Sequence, residues 1–253
     1  MEKKKKKNVT THSGTINITV QNSFRLVESY KALRTNLLFS LPKKDDVRAR
    51  KILITSSSPG EGKTTTTVNL AITISEINTK VLLIDADMRK PTVHKYFSIS
   101  NKTGLSNILS GMNPLEECVQ EIENIPNLSV ITSGILPPNP SELLSSPAMK
   151  NLLVALEENY DYIIIDTPPV NVVADALSVV NEVDGVALVI SQSKSTYPEI
   201  TKAVDTLRFG NSNIIGLIMN RATQEAKKKR STYDSYSYKY KYKPAKSQEN
   251  QQQ

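Results

Sequence analysis

The residues best suited to phosphate chemistry lie at positions 57–64, in the segment SSPGEGKT. They have the spacing G-x-x-x-x-G-K-[ST] of a phosphate-binding loop, with Ser57 in place of the first glycine. Glycines let backbone N–H groups turn around phosphate oxygens, and the lysine and threonine suit the outer phosphates and Mg²⁺. A simple glycine–proline turn is the alternative. The candidate ATP-binding residues here are Ser58, Pro59, Gly60, Glu61, Gly62, Lys63, Thr64 and Thr65.

Three aspartates follow apolar runs and could support a metal ion beside this loop. Asp85 and Asp87 end the segment VLLIDAD, and Asp166 ends YIIID. Open α/β sheets bind ligands at the carboxyl ends of their strands, and Mg²⁺ prefers oxygen ligands. The Thr64 hydroxyl with one or two of these carboxylates is therefore a suitable set. The alternative is a structural one, in which the aspartates only cap strand ends.

Short apolar runs alternate with amphipathic segments along the middle of the chain. This alternation predicts an α/β fold of the P-loop NTPase type, with a doubly wound, mostly parallel sheet and helices on both faces. An additional helix is predicted at 23–41, before the first strand. The predicted strands are 51–56, 80–87, 127–134, 161–169, 184–191 and 213–220, and the predicted helices are 63–78, 104–121, 145–158, 173–182 and 196–209.

Composition and charge indicate one domain with two polar tails. The chain has 253 residues and a net charge of +7, of which residues 1–7 carry +4 and residues 222–253 carry +5. Subtracting both tails from the total leaves −2 on the middle of the chain, so we expect no specific nucleic-acid partner. We predict a disordered basic N-terminus at 1–22, a P-loop domain at 23–221 and a flexible tail at 222–253.

Neither a secretion signal nor a membrane-spanning run is evident in the sequence. The first residues, MEKKKKK, are not followed by an apolar segment, and the single cysteine, Cys118, excludes an intramolecular disulfide. These features predict a cytoplasmic protein.

Four segments together resemble the bacterial tyrosine kinases of capsular and exopolysaccharide export. They are SSSPGEGKT, LLIDADMRKP, LPPNPSELL and YIIIDTPPV, and the resemblance extends over about residues 24–242. The family includes forms with a membrane domain in the same chain and forms whose kinase is a separate chain. This sequence resembles the separate kinase.

The resemblance implies roles for individual residues. Lys63 and Thr64 would hold ATP and Mg²⁺, Asp87 and Asp166 would support the metal, and Asp85 would accept the tyrosine proton. Arg89 would either stabilise phosphate charge or pair with acidic residues. Two further positions, Asn220 and Arg221, correspond to residues that contact adenine in related ATPases, although an ordinary exit from a strand is the alternative.

The resemblance also implies partners. A helix motif E-x-x-R-x-x-R joins the family's subunits into a ring, with an octamer as the candidate size. Its counterparts here are Glu28, Lys31 and Arg34, so a lysine replaces the middle arginine. The alternative is a solvated helix face. A membrane-bound activator and an opposing tyrosine phosphatase are expected, with the activator holding the kinase at the inner face of the membrane.

Five of the ten tyrosines are clustered near the C-terminus, and the resemblance makes them autophosphorylation sites. Five phosphates would add roughly −7.5 to −10 charges and reverse the sign of the tail. An RNA-binding tail and an inert tail are the alternatives. The five residues are Tyr233, Tyr236, Tyr238, Tyr240 and Tyr242.

Two other functions compete with a kinase. One is a non-kinase ATPase switch resembling plasmid-partitioning and septum-positioning proteins, which carry an additional lysine where this chain has Ser58. The other is a module that tethers RNA or membrane through its basic tails.

Overall fold

The computed structural model describes residues 24–42 and 48–222. Seven strands form one sheet: β1 (Arg50–Ser56), β2 (Val81–Asp85), β3 (Val119–Glu121), β4 (Leu128–Ile131), β5 (Tyr162–Asp166), β6 (Gly185–Ser191) and β7 (Ile214–Asn220). Their order in the sheet is β3-β4-β2-β5-β1-β6-β7. All neighbouring strands are parallel except β3, which is antiparallel to β4. The predicted α/β fold with a mostly parallel sheet is confirmed.

Helices pack on both faces of this sheet. They are α1 (Phe24–Ser40), α2 (Lys63–Ser75), α3 (Val93–Phe97), α4 (Leu105–Leu109), α5 (Leu115–Cys118), α6 (Pro140–Leu144), α7 (Pro147–Leu156) and α8 (Tyr197–Phe209), with a 3₁₀ turn at Val180–Glu182. The helix predicted at 23–41 is confirmed by α1. None of the helices in the described ranges is both long and apolar enough to cross a membrane.

Residues of β1 show how the sheet separates two apolar cores. Ile52 and Ile54 pack in the core beneath α1 and α2, whereas Leu53 packs in the core beneath α7 and α8. Successive strand residues point to opposite faces, so a strand covered on both sides is apolar throughout. Each such buried side chain contributes about 1.5–3 kcal/mol. This packing holds the carboxyl ends of β1, β2 and β5 in fixed positions.

The predicted helix at 104–121 is wrong. Helix α4 ends at Leu109, Gly111 adopts a left-handed conformation with φ of 70°, and Pro114 precedes the single turn of α5. Proline cannot donate a backbone hydrogen bond within a helix, so the segment is divided here. Residues 119–121 then pair with β4 as β3, an edge strand that the sequence did not predict.

The predicted helix at 173–182 is also wrong. The segment forms successive turns that end in the 3₁₀ turn Val180–Glu182. Valines at 173, 179 and 180 lower its helix propensity, and the side chain of Asp175 is buried and pairs with Arg89. The strand predicted at 161–169 ends at Asp166, because Pro168 and Pro169 lack the N–H groups that a ladder needs.

Candidate active site

The phosphate-binding loop connects the end of β1 to the start of α2. Gly60 and Gly62 have φ angles of 78° and 87°, in the left-handed region that favours glycine. Helix α2 begins at Lys63, so its first N–H groups and the positive end of its dipole face the space above the loop. The predicted loop, its glycines and its lysine therefore have the geometry of an anion-binding turn.

Hydrogen bonds within the loop, and one from the connection between β6 and α8, brace this loop. The Glu61 carboxylate is fully buried and accepts hydrogen bonds from the Ser57 hydroxyl at 2.7 Å and the Ser58 amide at 2.9 Å. It also accepts the hydroxyl of Ser195, in the connection between β6 and α8. Glu61 was predicted to bind ATP. In the structure its carboxylate holds the loop itself in shape.

Asn220 lies directly against the loop. Its Nδ2 donates to the Glu61 carbonyl at 2.9 Å, and a Cβ atom on Gly62 would lie 2.0 Å from that Nδ2. Arg221 follows with φ of 54° and is exposed. The end of β7 is therefore beside the loop, where a nucleotide base could reach it, and the adenine contact stays a prediction.

Replacing Gly62 with alanine should strongly weaken nucleotide binding. The new Cβ would collide with Asn220 and would also force alanine into a left-handed conformation, which costs about 1–2 kcal/mol. Gly111→Ala is the matched control, because Gly111 has φ of 70° and nothing lies within 4 Å of the added Cβ. A fluorescent ATP analogue should bind Gly111→Ala normally and Gly62→Ala weakly. Equal binding by both variants would contradict the steric argument.

Asp85, Asp87 and Asp166 are brought together as predicted. Asp85 and Asp166 are register partners on adjacent strands β2 and β5. The ammonium of Lys63 lies 2.8 Å from Asp166 Oδ2 and 3.8 Å from Asp87 Oδ2. Asp166 and Asp85 are fully buried, so their charges require compensation of this kind. Lys63 supplies that compensation.

The oxygen atoms at this point suit Mg²⁺. Asp166 accepts the Thr64 hydroxyl at 2.7 Å through one oxygen and the Thr67 hydroxyl at 2.9 Å through the other. No cluster of three or more His, Cys, Asp or Glu within the described ranges could hold a metal unaided. Mg²⁺ commonly uses one or two protein carboxylates and takes its other ligands from phosphates and water, so the donor set fits. Thr67 was not predicted.

Asp85 is fully buried, and backbone amides hold its carboxylate in place. Its Oδ2 accepts the amides of Thr92 and Val93 at 3.2 and 3.1 Å, and its Oδ1 accepts the amide of Asp87 at 3.2 Å. Burial, followed by the nearby charge of Asp166, raises the pKa of Asp85 to about 7. Such a carboxyl group can accept a proton near neutral pH.

The Arg89 side chain pairs with an aspartate outside the predicted catalytic set. Its Nε and Nη2 donate to the two oxygens of Asp175 at 2.9 and 3.0 Å. This bond raises the pKa of Arg89. Of the two roles that the sequence left open for Arg89, the structure contains the pairing with an acidic residue. Its partner is Asp175, which the sequence analysis did not identify.

A cavity of about 360 Å³ lies above these groups. Its wall includes the phosphate-binding loop on one side, polar residues after β2, and an apolar segment after β5. The lining residues include Lys63, Thr64, Asp87, Arg89, Pro169 and Val172.

Other predicted site residues lie outside this cavity. In α1, Lys31 pairs with Glu28 at 2.9 Å on an exposed face, and Arg34 donates to the Thr73 carbonyl at 2.6 Å. Arg34 thus braces α1 on α2 in the single chain. The five tail tyrosines lie outside the described residues.

The loop between β1 and α2, with carboxylates at the ends of β2 and β5, defines a P-loop nucleotide-binding protein. Residues 49–206 match the family model of an AAA domain. The chain is 45% identical over 193 residues to the tyrosine-protein kinase YwqD of Bacillus subtilis, covering 76% of this chain and 80% of that protein. The chain therefore belongs to the bacterial tyrosine-protein kinases.

Further comparisons agree with this family. The chain is 37% identical to the tyrosine-protein kinase ptk of Acinetobacter johnsonii, over 86% of this chain and 28% of that longer protein. Among solved structures it is similar to the chimerical protein CapA2B2, with 36% identity and a TM-score of 0.77, over 85% of this chain and 92% of the other.

Proposed function

We propose that this chain transfers the γ-phosphoryl group of ATP to tyrosine hydroxyls, including those of its own C-terminal tyrosine cluster. The observation that carries the proposal is the position of Lys63, which lines the P-loop cavity and lies 2.8 Å from Asp166, the register partner of Asp85. Phosphoryl transfer depends mainly on alignment and charge neutralisation, which is what these groups can supply. Membership in the tyrosine-protein kinases supports tyrosine as the acceptor.

Each residue has a defined part in the reaction. The phenol oxygen attacks the γ-phosphorus, the bond from that phosphorus to the β–γ bridging oxygen breaks, and ADP leaves. The Asp85 carboxylate accepts the phenol proton. Thr64, Asp87 and Asp166 would hold Mg²⁺, which neutralises phosphate charge when bound. Lys63 exchanges its carboxylate partners for the outer phosphates.

The tail can reach a site of this kind. About 15 residues separate Arg221 from Tyr236, which gives a coil span near 20 Å and an extended limit near 50 Å. The length of this segment alone does not decide between transfer within one chain and transfer to a neighbouring subunit. Phosphorylation would turn a basic tail into an acidic one, a change large enough to exchange its partners.

We assign the regulation of capsular or exopolysaccharide synthesis and export to this kinase. Its partners would be a membrane-bound activator, a tyrosine phosphatase and further copies in a ring through Glu28, Lys31 and Arg34. Some relatives contain the kinase as about a quarter of a longer protein, which supports a partner for the kinase domain. The activator would place the kinase in the cytoplasm at the inner face of the membrane.

Incubation with Mg-ATP and detection of phosphotyrosine tests the proposal. The unmodified chain should become labelled, and a variant with all five tail tyrosines changed to phenylalanine should lose the label. Tyr197→Phe is the control, since Tyr197 is 82% exposed but lies in α8 outside the cluster. Release of phosphate from ATP without phosphotyrosine would favour the ATPase switch instead.

A further inference from the structure

Asp175 is a fully buried carboxylate held by hydrogen bonds from Arg89 and Ser141. Besides the two bonds from Arg89, its Oδ1 accepts the Ser141 hydroxyl at 2.5 Å. Ser141 is in the first turn of α6, Arg89 follows β2, and Asp175 follows β5. Three separate segments therefore meet at one buried carboxylate, that of Asp175.

The two partners differ sharply in exposure. The Asp175 side chain is 0% exposed, whereas that of Arg89 is 42% exposed and lines the cavity with Lys63 and Asp87. Nη1 of Arg89 has no hydrogen-bond partner among the residues that the structure describes. In an ion pair with only a structural role in the interior, the arginine side chain would be buried as well. Here the carboxylate is buried, and one donor edge of the arginine remains available.

Two parallel hydrogen bonds fix both the position and the plane of a guanidinium group. A single bond, or a lysine, would leave the group free to rotate. The Ser141 hydroxyl prevents the Asp175 carboxylate from turning in its place. The arrangement therefore determines where the remaining donors of Arg89 lie.

We propose that Asp175 is a positioning residue for Arg89, holding its free donor edge toward the phosphoryl group as that group passes to tyrosine. This rests on the proposed kinase function. The wall formed by Pro169 and Val172 is apolar and suits the phenol ring. A fixed cation there stabilises charge on the equatorial oxygens in the transition state more than in bound ATP. Arg89 then contributes to the rate, and Asp175 acts only through it.

A double-mutant cycle tests this arrangement. The enzyme carries the five tyrosine-to-phenylalanine changes, and the acceptor is the Lys63→Met chain with an intact tail, so all phosphotyrosine reports transfer between molecules. Arg89→Ala and Asp175→Asn should each lower kcat by about 10- to 100-fold. The affinity for the fluorescent ATP analogue should change less than about threefold, because the loop and metal ligands are untouched.

The double variant Arg89→Ala/Asp175→Asn distinguishes positioning from structure. Its rate should equal that of Arg89→Ala alone, since Asp175 has nothing left to position. Arg89→Lys should also be slow, because it retains the charge without the two-point bond. A rate for the double variant that is lower by the product of both single effects would overturn the proposal, as would an unchanged rate for Asp175→Asn.

The matched control breaks a buried ion pair at the opposite end of β1 from the phosphate-binding loop. Glu157 is 7% exposed and pairs with Lys51 near the start of β1. Glu157→Gln should lower the melting temperature without lowering kcat. If the unmodified chain makes no phosphotyrosine, the proposed function fails, and the same cycle is then measured on ATP hydrolysis. Equality of the double variant with Arg89→Ala is expected there too, and multiplied effects would overturn the positioning role.

Discussion

Replacing Lys63 with methionine should abolish tyrosine phosphorylation and also destabilise the ligand-free protein. Both effects follow from the same contacts, since the Lys63 ammonium lies 2.8 Å from the buried Asp166 and 3.8 Å from Asp87. Loss of a preorganised cation at the transferring phosphoryl group should lower the rate by at least about 10²- to 10³-fold. Leaving a buried carboxylate without its partner costs about 3–5 kcal/mol.

The measurements are phosphotyrosine formation with Mg-ATP and thermal unfolding without it. Lys51→Met is the matched control, because Lys51 is equally enclosed, at 11% side-chain exposure against 7%, and pairs with Glu157. It should unfold at a lower temperature and still phosphorylate tyrosine. Phosphorylation by Lys63→Met within tenfold of the unmodified chain would remove Lys63 from the reaction.

The parts of the site that the sequence predicts are those encoded by adjacent residues. The loop from Ser57 to Thr64 and the aspartates at the ends of β2 and β5 are local sequence patterns. Their residue types suit phosphate and metal binding and few other functions. A parallel sheet then brings those strand ends together without further information. This is why Asp85 and Asp166 could be expected to be neighbours although 81 positions separate them.

The residues that the sequence analysis did not identify take their positions from tertiary contacts. Asp175 is 86 positions from Arg89, and its segment has the apolar spacing of a helix, so its inward turn has no local signal. Strand β3 has only three residues, and the helical spacing of the preceding segment conceals it. Thr67 is one of four consecutive threonines, and only the position of β5 distinguishes it from Thr65.

Changing Asp85 to asparagine should stop tyrosine phosphorylation while leaving nucleotide binding intact. Asparagine has the same shape and can still accept the amides of Thr92 and Val93, but it cannot take up the phenol proton. Removal of a general base lowers rates by about 10²- to 10⁴-fold. The melting temperature should change little, because removing a buried negative charge beside Asp166 offsets the loss of one acceptor.

The variant Asp87→Asn distinguishes proton acceptance by Asp85 from metal binding. Asp87 is a proposed Mg²⁺ ligand, so weakening it should raise the Mg²⁺ concentration needed for half-maximal activity, and excess Mg²⁺ should restore part of the rate. Excess Mg²⁺ should restore nothing in Asp85→Asn, because its defect is the missing proton acceptor. Phosphorylation is measured for both variants across a Mg²⁺ titration at constant ATP. Recovery of Asp85→Asn at high Mg²⁺ would reassign that carboxylate to the metal site.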